Sequence, residues 1–237
     1  FRRDEEGADS KNHIYISPSL DGHMNLAVDE YLLGQYRAGR LGGVTLYFYV
    51  NSNAVIIGRN QNAWAECNID KMQEDGVRLV RRHTGGGAVY HDEGNLNFSF
   101  ICNEKLYDKE RLTSVIVRAL ESLGINARVS GRNDLTVDGK KFSGCAYGLE
   151  GEARSMHGTL LINTDFGRLS EYLNPSKKKL EAKGITSVRS RVMNLSEAAD
   201  ISVDRARDAI IKEFTAQFGK AEEMTFDEAA KQAIGRL

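Results

Sequence analysis

The run Arg81-Arg-His-Thr-Gly-Gly-Gly-Ala-Val-Tyr-His-Asp sets three consecutive glycines behind a pair of arginines. With no Cβ at Gly85, Gly86 and Gly87, the backbone can approach a ligand closely and turn successive N–H groups toward one anionic point. Arg82 adds a fixed positive charge, so the loop could cradle a phosphate or a carboxylate; a tight turn is the other reading of such a run. It is not a P-loop, because no Lys-Ser/Thr pair follows the glycines, and it lacks the G-x-G-x-x-G spacing of a dinucleotide fingerprint. A second stretch, Gly131-Arg-Asn-Asp-Leu-Thr-Val-Asp-Gly-Lys-Lys-Phe-Ser-Gly-Cys-Ala, puts Asn133, Asp134 and two lysines on the arms of an expected hairpin. Asp134 could hold a Mg²⁺ that bridges phosphate oxygens, and Lys141 could stabilise charge developing on a carboxylate-phosphate adduct. Lysines beside a turn are also commonly solvated, so the pair alone decides nothing.

The third stretch, Gly184-Ile-Thr-Ser-Val-Arg-Ser-Arg-Val-Met-Asn-Leu, is a Ser- and Arg-rich connection that is either a surface link or a loop able to close over a nucleotide. His91 and His157 each have two readings, a place in a pocket or a neutral imidazole tying down local structure. Trp64, the single tryptophan, is expected in the core beside the Asn60-Gln-Asn turn. Cys145 stands four positions after Lys141. In a regular strand the two share a face, where an ammonium could lower the thiol's pKa.

These residues need elements to position them. Residues 13–17 have strand character, and from Met24 the apolar residues Ala27, Val28, Tyr31 and Leu32 recur at helical spacing. Residues 44–50 and 54–57 are β-branched and aromatic, and Asn51-Ser-Asn between them signals a turn, which predicts two antiparallel strands. A helical turn is expected at 69–75, strands at 77–81, 96–102 and 156–162, and a long helix at 111–123. Asp138-Gly139 is a two-residue hairpin signal. Ala206, Ile210, Phe214 and Phe218 form a helical stripe, and Thr225 to Glu228 spell a capping box before a last helix. The class this predicts is α+β, a mixed, mainly antiparallel sheet with packed helices.

Composition narrows the field. The chain has 237 residues, 41% hydrophobic and 27% charged, which suits one folded domain. Thirty-two Lys plus Arg against 33 Asp plus Glu give no positive field for nucleic acid or anionic membrane, so neither partner is expected. The apolar runs at 44–50 and 96–102 are far shorter than the roughly 20 residues of a membrane span. Three cysteines without metal spacing fit a reducing compartment, and a cytoplasmic location is expected. Residues 1–11 are expected to be a flexible or tag-derived N-terminus.

Taken in order, six segments together resemble the lipoate-protein ligase family, which is related to biotin ligases and lipoyl-group transferases: Ala54-Val-Ile-Ile-Gly-Arg-Asn-Gln-Asn, the glycine run through His91 and on to Asn97, Gly131-Arg-Asn-Asp-Leu, Lys141-Phe-Ser-Gly, His157-Gly-Thr-Leu-Leu and Ser187-Val-Arg-Ser-Arg-Val. The resemblance covers most of the chain and implies a biotin/lipoate ligase-like catalytic domain over residues 12–237, without the C-terminal accessory domain that many members carry. It implies that lipoate and ATP give lipoyl-adenylate and pyrophosphate, and that the lipoyl group then passes to a lysine of a lipoyl carrier domain. Implied carriers are 2-oxoacid dehydrogenase E2 subunits or the glycine cleavage H protein, and a separate chain could supply the accessory domain. By position, Lys141 matches the family's catalytic lysine. Arg82, Thr84, Gly85, Gly86, Gly87, Ala88, Val89, Tyr90 and His91 match its ATP- and lipoate-binding loop, with His157 near the acceptor side. Asn133 and Asp134 match its phosphate side, with Asp134 the candidate Mg²⁺ ligand. Ser187, Val188, Arg189 and Ser190 match the adenylate-covering loop. Gly148 stands where some members have an arginine. Two alternatives remain: an ATP-independent octanoyl or lipoyl transferase with a thioester on Cys145, and a non-catalytic lipoyl-domain binder.

Overall fold

The computed structural model describes residues 11–131, 133–174 and 192–237. The chain runs β1 (Asn12–Ile16), α1 (Gly22–Arg37), β2 (Val44–Tyr49), β3 (Ala54–Ile57), α2 (Ala63–Glu66), α3 (Ile69–Glu74), β4 (Arg78–Arg81), β5 (Val89–His91) and β6 (Asn95–Asn103). It continues α4 (Lys109–Ser122), β7 (Arg128–Ser130), β8 (Asp134–Val137), β9 (Lys140–Glu150), β10 (Ala153–Leu161), α5 (Phe166–Tyr172), α6 (Val203–Phe218), β11 (Ala221–Glu223) and α7 (Glu228–Ile234). Eight strands form one sheet in the order β11-β1-β2-β6-β10-β9-β8-β7, and β4-β3-β5 form a second. Pairing is parallel at β11-β1, β1-β2 and β3-β4 and antiparallel elsewhere, as the mixed, mainly antiparallel class requires.

Two helices cover one face of the large sheet. Leu112, Val115, Ile116 and Ala119 of α4 and Ala206, Ile210 and Phe214 of α6 recur at helical spacing and pack on Leu46, Phe48, Phe98, Phe100 and Met156. Burying each of the larger of these side chains contributes roughly 1.5–3 kcal/mol. On the opposite face lies α1, whose Leu26, Leu32, Leu33 and Tyr36 meet Tyr47, Tyr49 and Ile101 of the large sheet and Ala54, Ile56 and Val80 of the small one. The far side of the small sheet, Val55, Ile57 and Tyr90, packs on Met72 of α3 and Tyr172 of α5. The layers are therefore helix pair, large sheet, α1, small sheet and outer helices. Among the described residues no helix is long and apolar enough to cross a membrane.

Three expectations are overturned. Residues 44–50 and 54–57 do not pair with each other, because β2 joins the large sheet and β3 the small one. The Asn51-Ser-Asn corner redirects the chain: Asn25 holds it by donating to the Val50 carbonyl and the Asn51 side chain, and Asn53 adopts φ 47°. Trp64 is 75% exposed, since the short α2 buries none of its residues. The last helix is capped not by Thr225 but by Asp227, whose carboxylate accepts from Ala230 N–H.

Candidate active site

Lys141 reaches the site through a defect in its strand. The hairpin turns at Asp138 and Gly139, with φ 49° and 76°, and pairs Val137 with Lys140 and Thr136 with Lys141. Beyond that, Leu135 faces Ser143 and Asp134 faces Gly144, so Phe142 is the extra residue of a β-bulge. The bulge resets the alternation of faces. Lys141 now shares a face with Gly144, where a Cβ would lie 3.0 Å from Lys141 Nζ, and through Gly144 and Ala146 with His157, the cross-strand partner of Ala146. The ammonium sits 2.8 Å from Asp134 Oδ1, with the two side chains 40% and 43% exposed. Val192 bridges Lys141, and Met193 N–H donates to the Lys141 carbonyl at 2.9 Å.

Cys145 falls on the other face, against the apolar cluster. Burial pushes its thiol up to about 11, although Ser143 and the Lys141 charge pull the other way. The expected pairing of Lys141 with Cys145 fails, because the expectation assumed a regular strand. Asn133 has an exposed side chain, and its carbonyl accepts from Cys145 N–H at 2.7 Å. Ser187, Val188, Arg189 and Ser190 lie outside the described residues.

The glycine loop joins β4 to β5, which lie on either side of β3, so it crosses the end of β3. Arg82 holds it there. Its buried guanidinium donates to the Gly85 carbonyl at 3.0 and 2.8 Å, to the Gly87 carbonyl at 2.8 Å and to the Ile56 carbonyl at 3.4 Å. Burial lowers the Arg82 pKa below the ordinary arginine value. The arginine expected to face a ligand thus acts first on the loop's own carbonyls. Among the described residues, the exposed N–H groups of Gly85, Gly86 and Gly87 have no hydrogen-bond partner, which leaves them for an anion. Glycine is required here: Gly86 has φ +105° and a Cβ on it would stand 2.6 Å from Arg82 Nη2, while a Cβ on Gly58 would meet the Gly86 carbonyl at 2.3 Å.

The remaining loop residues divide between the two sides of β5. Val89 packs toward α1, whereas Ala88 and Tyr90 turn to the outer layer, where the Tyr90 hydroxyl donates to Asn53 Oδ1 at 3.2 Å. His91 is buried on the α1 side with a determined tautomer. Asn25 Nδ2 donates to the Ser19 and Val50 carbonyls, so it also donates to Asn51 Oδ1 at 2.8 Å; Asn51 Nδ2 must then donate to His91 Nδ1 at 3.1 Å. The His91 proton is left on Nε2, a buried atom without a partner. Burial, aided by the Arg82 and His157 charges, lowers the His91 pKa to about 3, so the ring is a neutral donor. His157 Nε2 lies 2.9 Å from Thr84 Oγ1, and its Nδ1 lies 3.4 Å from Asp29 Oδ2.

Sequence reasoning missed Asn25, Asp29, Asn51 and His83. A signal for two of them existed: Asn25 and Asp29 occupy buried positions on the same stripe of α1 as Leu32 and Tyr36, where apolar residues belong. His83 Nε2 and Ser155 Oγ are buried and unpartnered beside Gly148, where a Cβ would stand 2.3 Å from Ser155 Oγ. Ser155, His83 and Thr84 therefore fill the space that an arginine at this position would need. Buried polar atoms without partners are rare away from ligand sites. This face of the sheet combines an ammonium, free backbone N–H groups and unmet donors, the chemistry needed to hold an anionic, phosphorylated substrate.

Comparison with known proteins points the same way. The model for the lipoyl protein ligase A/B catalytic domain matches residues 21–215. The bipartite lipoate protein ligase of Thermoplasma acidophilum, solved in a study that included its E2 lipoyl domain, is 31% identical, covering 96% of this chain and 92% of that one at a TM-score of 0.83. P. falciparum LipL1 in complex with lipoate is 31% identical over 94% of this chain and 71% of its own, at a TM-score of 0.81. A lipoate-protein ligase A bound with ATP is 29% identical over 96% and 93%, at a TM-score of 0.81. With its glycine loop and lysine hairpin inside the matched region, the chain belongs to the lipoyl protein ligase A/B catalytic-domain family.

Proposed function

We propose that the protein is an ATP-dependent lipoate-protein ligase. The lipoate carboxylate attacks the α-phosphorus of ATP, an O–P bond forms, the bond to pyrophosphate breaks, and lipoyl-adenylate results. The ε-amine of a lysine on a lipoyl carrier domain then attacks the acyl carbonyl, forms the amide and releases AMP. The observation that carries this reading is the delivery of Lys141 to the same sheet face as His157 and the buried groups beneath the glycine loop. An ammonium there meets charge that grows as the carboxylate attacks, and so favours the transition state over the ground state. The free N–H groups of Gly85, Gly86 and Gly87 take phosphate or carboxylate oxygens, and His91 Nε2–H offers a neutral donor.

Among the described residues no three His, Cys, Asp or Glu side chains converge on a metal site. Mg²⁺ usually takes one or two carboxylates together with substrate phosphates, and Asp134 beside Lys141 fits that mode. Asp134, with Asn133 nearby, would hold Mg²⁺ arriving with ATP, where the ion would neutralise phosphate charge. Ser187, Val188, Arg189 and Ser190 would cover the adenylate, a mixed anhydride that water destroys.

The archaeal relative's E2 lipoyl domain supports E2-type carriers as acceptors, with the glycine cleavage H protein as a second candidate, and its bipartite make-up supports an accessory chain acting in trans. Three free cysteines favour a reducing compartment, the cytoplasm. A thioester transferase is disfavoured by the raised pKa and apolar surroundings of Cys145. The test mixes the protein with ATP, Mg²⁺ and lipoate and follows pyrophosphate release and the adenylate mass. Adenylate supports the ligase; acyl transfer from a carrier protein without ATP would identify the transferase, and neither product would identify a binder.

A further inference from the structure

We infer that Asp29 is a positioning residue for the glycine loop: its carboxylate holds His157 with the proton on Nδ1, so that Nε2 accepts from the Thr84 hydroxyl and Thr84 is fixed at the root of the loop. The inference rests on the ligase reading of that loop. Asp29 is fully buried on α1 between the two sheets. An isolated carboxylate in that position is strongly unfavourable, so it persists only with partners. Its partner is His157, 3.4 Å away at Nδ1, on the central strand β10. The far side of the ring reaches Thr84 Oγ1 at 2.9 Å. Burial alone would raise the Asp29 carboxyl, yet the hydrogen bond it accepts from His157 holds it below the usual carboxylate value. A proton on Nδ1 satisfies both contacts at once, because the carboxylate can only accept and the hydroxyl can donate.

The consequence lies in what Thr84 connects. Its carbonyl accepts from Arg59 N–H at 2.8 Å, just past β3, and Gly85 follows it directly. One chain of contacts therefore ties α1, β10 and the end of β3 at the residue where the free N–H groups begin. Carboxylate, imidazole and hydroxyl stand in the order of a hydrolase triad, but here the hydroxyl is an anchor. Because the loop grips phosphate in the ground state as well as the transition state, loosening it should raise KM for ATP more than it lowers kcat.

The experiment uses the full chain. Ring ¹⁵N resonances of His157 in the free protein should report a protonated Nδ1 and a bare Nε2. Asp29→Asn and Thr84→Val should each lower the backbone order parameters of Gly85, Gly86 and Gly87 and reduce kcat/KM for adenylation about tenfold, as expected for a lost buried hydrogen bond, mainly through KM. Thr84→Ser, which keeps the hydroxyl, should restore both. If Asp29→Asn does not fold, the Thr84 pair carries the test. A proton found on His157 Nε2, or loop order unchanged in Thr84→Val, overturns the role of Asp29. Both readouts need no ligand, so they decide the inference even if the wild-type chain makes no adenylate and the ligase reading falls.

Discussion

At the central strand β6 the two faces of the large sheet are equally dry and chemically opposite. Along β6, Phe98 and Phe100 point to α4 and α6, while Asn97 and Ser99 point to the α1 side, and all four are essentially inaccessible to solvent. The first face uses nearly every position for packing, with the buried Ser143 of β9 as an exception. The second retains His157, Asp29, Ser155 and, through the bulge, Lys141, and of these Asp29 and Ser155 have unmet polar atoms. Burying polar groups without partners lowers stability, so their retention marks the face that a ligand completes. One face is packed almost throughout, and the other combines the α1 cluster with the proposed site.

That division can be broken or sharpened by substitution. On the packed face, Phe100→Ala should reduce unfolding free energy by about 3–5 kcal/mol in denaturant titration, while the remaining folded protein adenylates normally. A large loss of activity per folded molecule would mean the faces are not separate. On the site face, Gly86→Val should reduce adenylation per folded molecule at least roughly 10²-fold by displacing the loop from Arg82, with a lower unfolding midpoint because the buried guanidinium loses partners. Normal kinetics would remove the cradle.

His91 provides a test by pH. Its folded pKa of about 3 lies below the ordinary 6.5, so between these values the unfolded chain binds a proton that the folded chain does not. Stability should fall as pH drops through this window, by up to roughly 1.4 kcal/mol per unit from this group, and His91→Gln should flatten the slope. An identical slope in the variant would mean that His91 is not held neutral. The smallest effect belongs to Cys145→Ala, which should leave the adenylation rate unchanged; loss of all acyl transfer would restore the thioester route.

Much of this was legible in the chain itself. The Asp138-Gly139 turn, the helical stripe on α6 and the family resemblance all rest on local chemistry, and the structure and comparisons agree with them. What escaped is non-local. Asn51-Ser-Asn announces a change of direction but not which sheet receives β3, a choice tied to Asn25, 26 positions away. Nothing in Lys141-Phe-Ser-Gly announces that Phe142 is a bulge, because the extra residue is defined by pairing with β8. Trp64 was misplaced by its residue type, since α2 is too short to present a buried face.

The central claim is that the bulge brings Lys141 to the reacting atoms. Single-turnover formation of lipoyl-adenylate, followed by mass spectrometry for the wild type and Lys141→Met, tests it most directly. Loss of one pre-organised charge should slow the variant roughly 10²–10³-fold, with an unfolding midpoint close to wild type because the side chain is 40% exposed. Arg should substitute poorly for the compact ammonium, whereas Lys140→Ala should be tolerated. Adenylate formed by Lys141→Met at the wild-type rate, or an acyl group trapped on Lys141 itself, would contradict the account.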